Sequence, residues 1–244
     1  MQSKPYLPHQ YNLDNLIYDS VEGSDDKRII KIYDNKKGKP IYIQTPELTN
    51  LFGATKRSNY YELLLPLGGV SCLIFKQFMT SLQNKILLDA NVNKTRWFKN
   101  IKSVKFIPLI KEVNKDVTST MEQTEELDKC DDGMIKIKVT NGTIIKKNHE
   151  EINVNELTKG KKIRMIIQIY AVWITTVNDT TTFGIYIKPE IIEEKNSYNL
   201  EFIDEKVIFD SDSDSDSDSI SSTPTCNSAN STKSSDEEIK YESK

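Results

Sequence analysis

The chain has 244 residues, 37% hydrophobic and 28% charged, with a net charge of −3, enough apolar side chains for one substantial core if they are concentrated. It has no run of 18 apolar residues and begins with the polar stretch "MQSKPYLPHQ", which argues against a membrane span and a signal peptide. Cys72, Cys130 and Cys226 lie far apart without a CxxC pair, and only His9 and His149 could join them, so neither a zinc site nor a disulfide framework is supported and a reducing intracellular compartment is expected.

In chain order, residues 1–26, with Pro5, Pro8 and scattered aromatics, are expected to form an irregular arm. "RIIKIY" (28–33) and "KPIYIQ" (39–44) are β-branched runs separated by "DNKKG", which predicts a hairpin. "YYELLLPL" (60–67) is a third strand, stopped by Gly68 and Gly69. Phe75, Phe78, Met79, Leu82 and Ile86 then recur at three- and four-residue spacing, the mark of one amphipathic helix. "IKSVKFIPLI" (101–110) returns to strand, with Pro108 pointing to an edge or a bulge. Residues 112–132 lack apolar periodicity and are expected to be a long acidic mobile loop.

Further along, "MIKIKVTNGTIIKK" (134–147) holds an Asn-Gly pair between alternating runs, which predicts a hairpin through a type I′ turn. Two more strands fill 159–192, joined near Asn178 and Asp179. About seven strands and one long helix, mostly linked consecutively, predict a mainly β fold, an antiparallel barrel or sandwich. The domain spans 27–209, and a Ser/Asp-rich acidic tail, 210–244, is expected to be disordered.

The net charge conceals an asymmetry. Residues 112–132 and 210–244 each carry −6, which leaves +9 on the remainder, and 51–111 alone carry +8. A basic body points to a polyanionic partner. Strand parity sharpens this, because alternate side chains face opposite sides of a sheet. Lys136 and Lys138 oppose Ile135, Ile137 and Val139; Arg164, Gln168 and Tyr170 oppose Ile163, Met165, Ile167, Ile169, Ala171 and Trp173; Tyr186 and Lys188 oppose Phe183, Ile185 and Ile187. Three strands thus present a face of cations and tyrosines, which suits single-stranded nucleic acid, cations following phosphates and flat rings stacking on bases. The outer face of any half-buried sheet has a similar composition. Tyr60 and Tyr61 lie within the basic 51–111 region, as does "NKTRWFKN" (93–100), where Trp97 and Phe98 are flanked by Arg96 and Lys99. That aromatic pair either docks into the core or stacks on a ligand.

The stretch "GKKIRMIIQIYAVWITTVNDTTTFGIYIKPEII" resembles the signature of single-stranded-DNA-binding proteins of nucleocytoplasmic large DNA viruses, relatives of the oligonucleotide-binding-fold (OB-fold) proteins of short-tailed phages. Gly160, Lys162, Arg164, Trp173, Phe183, Gly184 and Ile185 carry the likeness. It implies an OB-fold-like barrel that binds single-stranded DNA without sequence preference during replication or recombination. It also implies an acidic tail that competes for the DNA groove and engages replication proteins. Asp210, Asp212, Asp214, Asp216 and Asp218 would be the competing anions, although the chain ends in "KYESK" rather than in an aromatic residue. A virion- or transcription-associated viral protein whose barrel binds no nucleic acid is the alternative. An enzyme is not expected, since there is no phosphate-cradling glycine loop or metal-ligand cluster. No cofactor or metal is expected either; a homodimer and packaging in the virion stay open.

Overall fold

Thirteen strands and two α-helices occupy the described part of the chain. The computed structural model describes residues 4–99, 103–112, 130, 132–178 and 180–194, all within one compact unit, Met1–Asp204. The acidic segment 113–129 and the tail with Asp210 to Asp218 lie outside the described residues.

The architecture follows from one long hairpin. β12 (Lys162–Val177) and β13 (Thr180–Glu194) run antiparallel, joined as expected at Asn178, whose φ of 46° is a left-handed conformation that asparagine tolerates. With 16 residues, β12 has room for several partners along its other edge. β2 (Lys27–Asp34) pairs with its segment Ala171–Thr175, and β3 (Ile41–Gln44) with Ile166–Ile169. These two strands therefore lie end to end along β12. They do not form the hairpin expected between 28–33 and 39–44, since only an isolated Asp34–Lys39 bridge joins them. The true hairpin partner of β2 is β1 (Leu16–Gly23), in a region expected to be irregular. Leu7, Tyr11 and Leu16 of that region are buried, so hydrophobic docking orders what local pattern leaves undefined.

β4 (Leu48–Thr49) also pairs with β12. β5 (Ala54–Lys56) and β6 (Tyr61–Pro66) begin a second, four-stranded sheet. Helix α1 (Leu73–Val92) follows, burying Phe75, Phe78, Met79, Leu82, Ile86 and Ala90. This is the face that three- and four-residue spacing predicts. The short α2 (Lys94–Phe98) comes next.

The chain then changes sheets twice. β7 (Ser103–Ile107) runs parallel to β13 in the large sheet, whereas β8 (Ile110–Lys111) pairs with β9 (Met134–Val139) in the small one. Pro108 stands between β7 and β8, where the missing N–H ends one ladder before the next begins. At Asn141–Gly142 the chain passes from β9 back to the large sheet, where β10 (Ile144–Lys147) runs parallel to β13 and pairs with β11 (Glu150–Glu151). The expected 134–147 hairpin therefore does not form. Neither Asn141 nor Gly142 has positive φ, so the turn is not of the primed type whose twist holds two strands together.

The result is mainly β with one long helix: a nine-stranded sheet and a four-stranded sheet, antiparallel except where β7 and β10 flank β13. A single hydrophobic core joins both sheets and α1.

Candidate nucleic-acid interface

β9 obeys the expected alternation: Ile135, Ile137 and Val139 are buried, and Lys136 and Lys138 point the other way. β12 keeps its alternation of faces as far as Ile169, with Ile166 and Gln168 of the outward face also buried. There the register shifts, Ile169 facing Ile187 while Ala171 faces Tyr186, so Tyr170 is the extra residue of a bulge. A bulge advances one strand by one position and exchanges the faces of everything beyond it. Val172 and Ile174 consequently enter the core. Trp173, expected inward with Ile163 to Ala171, is instead half-buried and shares the other face with its cross-strand partner Gly184.

That face forms part of a concavity of about 780 Å³. The large sheet contributes Trp173, Thr175, Ile185, Tyr186 and Ile187, and β9 contributes Lys136 and Lys138, with Thr140 just past its end. Asn59 and Tyr60, ahead of β6, and Ile107, Pro108, Leu109 and Lys111 complete the lining. Helix α1 holds this last wall in place: Gln83 Oε1 accepts hydrogen bonds from the backbone N–H groups of Leu109 (2.5 Å) and Ile110 (3.3 Å).

The cations of the concavity are arranged by short-range interactions. Lys138 Nζ lies 5.2 Å from the centroid of the Tyr60 ring, a cation–π contact that leaves the ammonium its charge. Lys136 pairs with Glu62 at 2.9 Å, and Glu62, only 8% exposed, also receives Arg57 at 3.3 Å. Burial pushes the Glu62 carboxyl upward, but hydrogen bonds from Lys136 and Arg57 outweigh it and hold the group below the ordinary glutamate value. Partial burial, together with the nearby Lys136 charge, holds the Lys111 ammonium below the ordinary lysine value. A group depressed by a like charge is one that an arriving anion stabilises.

Of the twelve residues expected to contact nucleic acid, Tyr60, Lys136, Lys138 and Tyr186 line this concavity. Tyr170 stands edge-on to Tyr186, ring centroids 5.5 Å apart. Tyr61 is half-buried against the core.

The remainder are elsewhere. Trp97 and Phe98 are 0% and 3% exposed, which settles the two readings of that pair in favour of docking and withdraws both as stacking residues. Trp97 meets Tyr18 edge-on at 5.0 Å, its carbonyl accepts from Arg28 Nη1 at 3.0 Å, and Phe98 packs on Phe183 at 4.9 Å. Their neighbours Arg96 and Lys99 do not line the concavity either. Arg96 donates to the Asp19 carbonyl, and Lys99 pairs with Asp25 at the β1–β2 turn. Arg164 and Lys188 are held by Glu47 (3.4 Å) and Glu190 (2.8 Å) along β12 and β13.

Among the lining residues not expected from the sequence, Trp173 and Lys111 bear most on the chemistry of the concavity. Alternation places Trp173 on the core face, but "IYAVWI" is apolar in either register and so carries no phase there. Lys111 ends a strand and borders an acidic run, and nothing local distinguishes it. Among the described residues no group of three or more His, Cys, Asp or Glu could hold a metal ion, and no helix is long and apolar enough to cross a membrane.

No family model matches the sequence, and no curated protein matches it. Two solved structures of the single-stranded DNA-binding protein from bacteriophage Enc34 are similar to it, one a C-terminal truncation and one in complex with single-stranded DNA. Each has a TM-score of 0.39 at 10% identity and covers 76% of this chain and 98% of its own. A likeness of that strength transfers no residue and no role.

Proposed function

We propose that this protein binds single-stranded DNA without regard to sequence, in the concavity between the two sheets. One observation carries the reading: Trp173 and Tyr186 share a single lining with Lys111, Lys136 and Lys138. Phosphates need the cations and bases need the rings, and a strand that presents both in alternation is matched by a groove that interleaves them.

On this reading the chain acts in viral DNA replication or recombination, in the reducing interior of the infected cell, as the resemblance to large-DNA-virus proteins implies. The aspartates at 210, 212, 214, 216 and 218 act as an internal competitor, since regularly spaced carboxylates on a flexible chain present lysines with an alternative to phosphates.

Titration with fluorescent oligo-dT against salt tests the proposal. Binding is expected to weaken with a slope in log K of about 0.7 per phosphate contacted. Replacing Lys111, Lys136 and Lys138 together with glutamine is expected to flatten that slope by about 2; an unaltered slope would place the strand elsewhere. A chain ending at Phe209 is expected to bind more tightly at low salt than the full chain. Equal or weaker binding would refute the competition. Failure of the full and the truncated chain alike to bind oligo-dT would refute the function and leave a protein-interaction role as the better account.

A further inference from the structure

Trp173 and Gly184 face each other across β12 and β13. A Cβ built at position 184 would lie 2.7 Å from Cζ2 and 2.9 Å from Cε2 of the Trp173 indole, and 2.9 Å from the Ile107 carbonyl oxygen. Side-chain carbons do not approach other atoms so closely, and two of these three neighbours belong to a rigid ring. Gly184 does not have positive φ, so its backbone does not call for glycine. Space for the ring does.

The indole is therefore seated against bare β13 backbone, and this seat has a chemical consequence. The part of the indole at Cζ2 and Cε2 is closed off by protein, while the residue also lines the concavity. A ring packed this closely against backbone at Cζ2 and Cε2 is restricted before any ligand arrives, so less side-chain entropy remains to be lost when its surface toward the concavity is used.

An aromatic surface held in place selects its ligand by which surface that ligand can offer. Within a duplex each base face is covered by its neighbours in the stack, and proteins reach only edges and backbone. An unpaired base can swing out and lay a whole face on an aromatic ring, whatever its identity. The geometry points to Gly184 as a specificity-determining residue: by leaving room for the indole it presents Trp173 as the platform for one unpaired nucleobase, and so sets the preference for single-stranded over duplex nucleic acid. This rests on the nucleic-acid reading of the concavity and adds to it which position decides between the two forms.

The test uses the full chain and its own fluorescence. Trp97 is 0% exposed, so quenching by an added oligonucleotide reports on Trp173. Oligo-dT is expected to quench the wild-type protein, and a duplex of equal length is expected to quench it little. Gly184→Ala is expected to bind oligo-dT roughly 5- to 150-fold more weakly, the range of one lost base stack. It is expected to lose most of the quenching and to narrow the ratio of single-strand to duplex affinity. Its salt slope is expected to stay that of the wild type, because the lysines are untouched. A glycine serving packing alone would lower the melting temperature without moving quenching or the affinity ratio of the folded protein. A folded Gly184→Ala with wild-type quenching and wild-type ratio overturns the inference while leaving the proposed function standing. If Gly184→Ala does not fold, Trp173→Ala replaces it: loss of affinity with an unchanged salt slope supports the platform, and retained affinity overturns it. A wild-type chain that binds no oligo-dT removes the proposed function and this inference together.

Discussion

Glu62 is the residue on which the charge of the concavity turns. It is nearly buried on β6, and it holds Arg57 at 3.3 Å and Lys136 at 2.9 Å. A buried carboxylate with two cationic donors is stabilising because its lone pairs are satisfied. The same contact ties down a lysine that would otherwise face a ligand. Glu62→Gln is therefore expected to act in opposite directions on two measurements. Folding stability, from urea denaturation, should fall by about 1 to 3 kcal/mol. Affinity for oligo-dT at low salt should rise, because Lys136 is released and one negative charge beside the groove is removed. Weaker binding would mean that Glu62 orients Lys136 toward the strand and does not compete for it. Trp97 makes a second case at this scale: its sequence context of cations and polar residues suggested a surface aromatic as readily as a core one, and only contact with Tyr18, Phe98 and the Arg28-bonded carbonyl decides.

Among elements, β12 organises the rest, since one 16-residue strand accepts β2, β3 and β4 on one edge and β13 on the other. The bulge at Tyr170 divides it into two stretches of opposite parity, and only the second turns an aromatic toward the groove. The Asn141–Gly142 turn is the element whose sequence signal and structure disagree, and the disagreement is measurable. A type I′ turn would need Gly142 in the left-handed region, where alanine is strained. Here Gly142 lacks positive φ and a Cβ would meet nothing within 4 Å. Gly142→Ala is accordingly expected to be neutral or to stabilise by about 0.4 to 1 kcal/mol through the unfolded chain; marked destabilisation in thermal unfolding would restore the hairpin. Helix α1 acts at a distance: Gln83→Ala strands the N–H groups of Leu109 and Ile110, and is expected to cost about 1 to 3 kcal/mol and to weaken oligonucleotide binding by loosening one wall.

For the whole molecule, ionisable groups of opposite kind bound the pH range of stability. Glu62 and Glu194 are both held below the ordinary value, Glu194 because burial is outweighed by hydrogen bonds from Thr158 and Lys147. A carboxyl depressed in the folded state contributes fully above its unfolded value of about 4.3, and the contribution is lost as pH falls through the folded value. Tyr18 is held well above the ordinary phenol value by burial and by the hydrogen bond it donates to Asp89, and Tyr11 by burial and the Asp34 charge. For these the sign reverses, and stability declines once pH rises past about 10, where unfolded tyrosine ionises. The melting temperature is expected to be flat between these limits and to fall on both sides; a maximum confined to low pH would contradict the assignment of Glu62 and Glu194. At this scale the division between sequence and fold is clear. The fold class, the buried face of α1, the alternation of β9 and the basic body beneath a near-neutral total were legible in the chain itself, because each depends on local periodicity or on a simple count. The site was not. Which lysines meet which rings depends on a one-residue bulge, on two changes of sheet and on a glycine that makes room for an indole, and these are settled by contacts between segments far apart in the chain, where packing and not local preference sets the free energy.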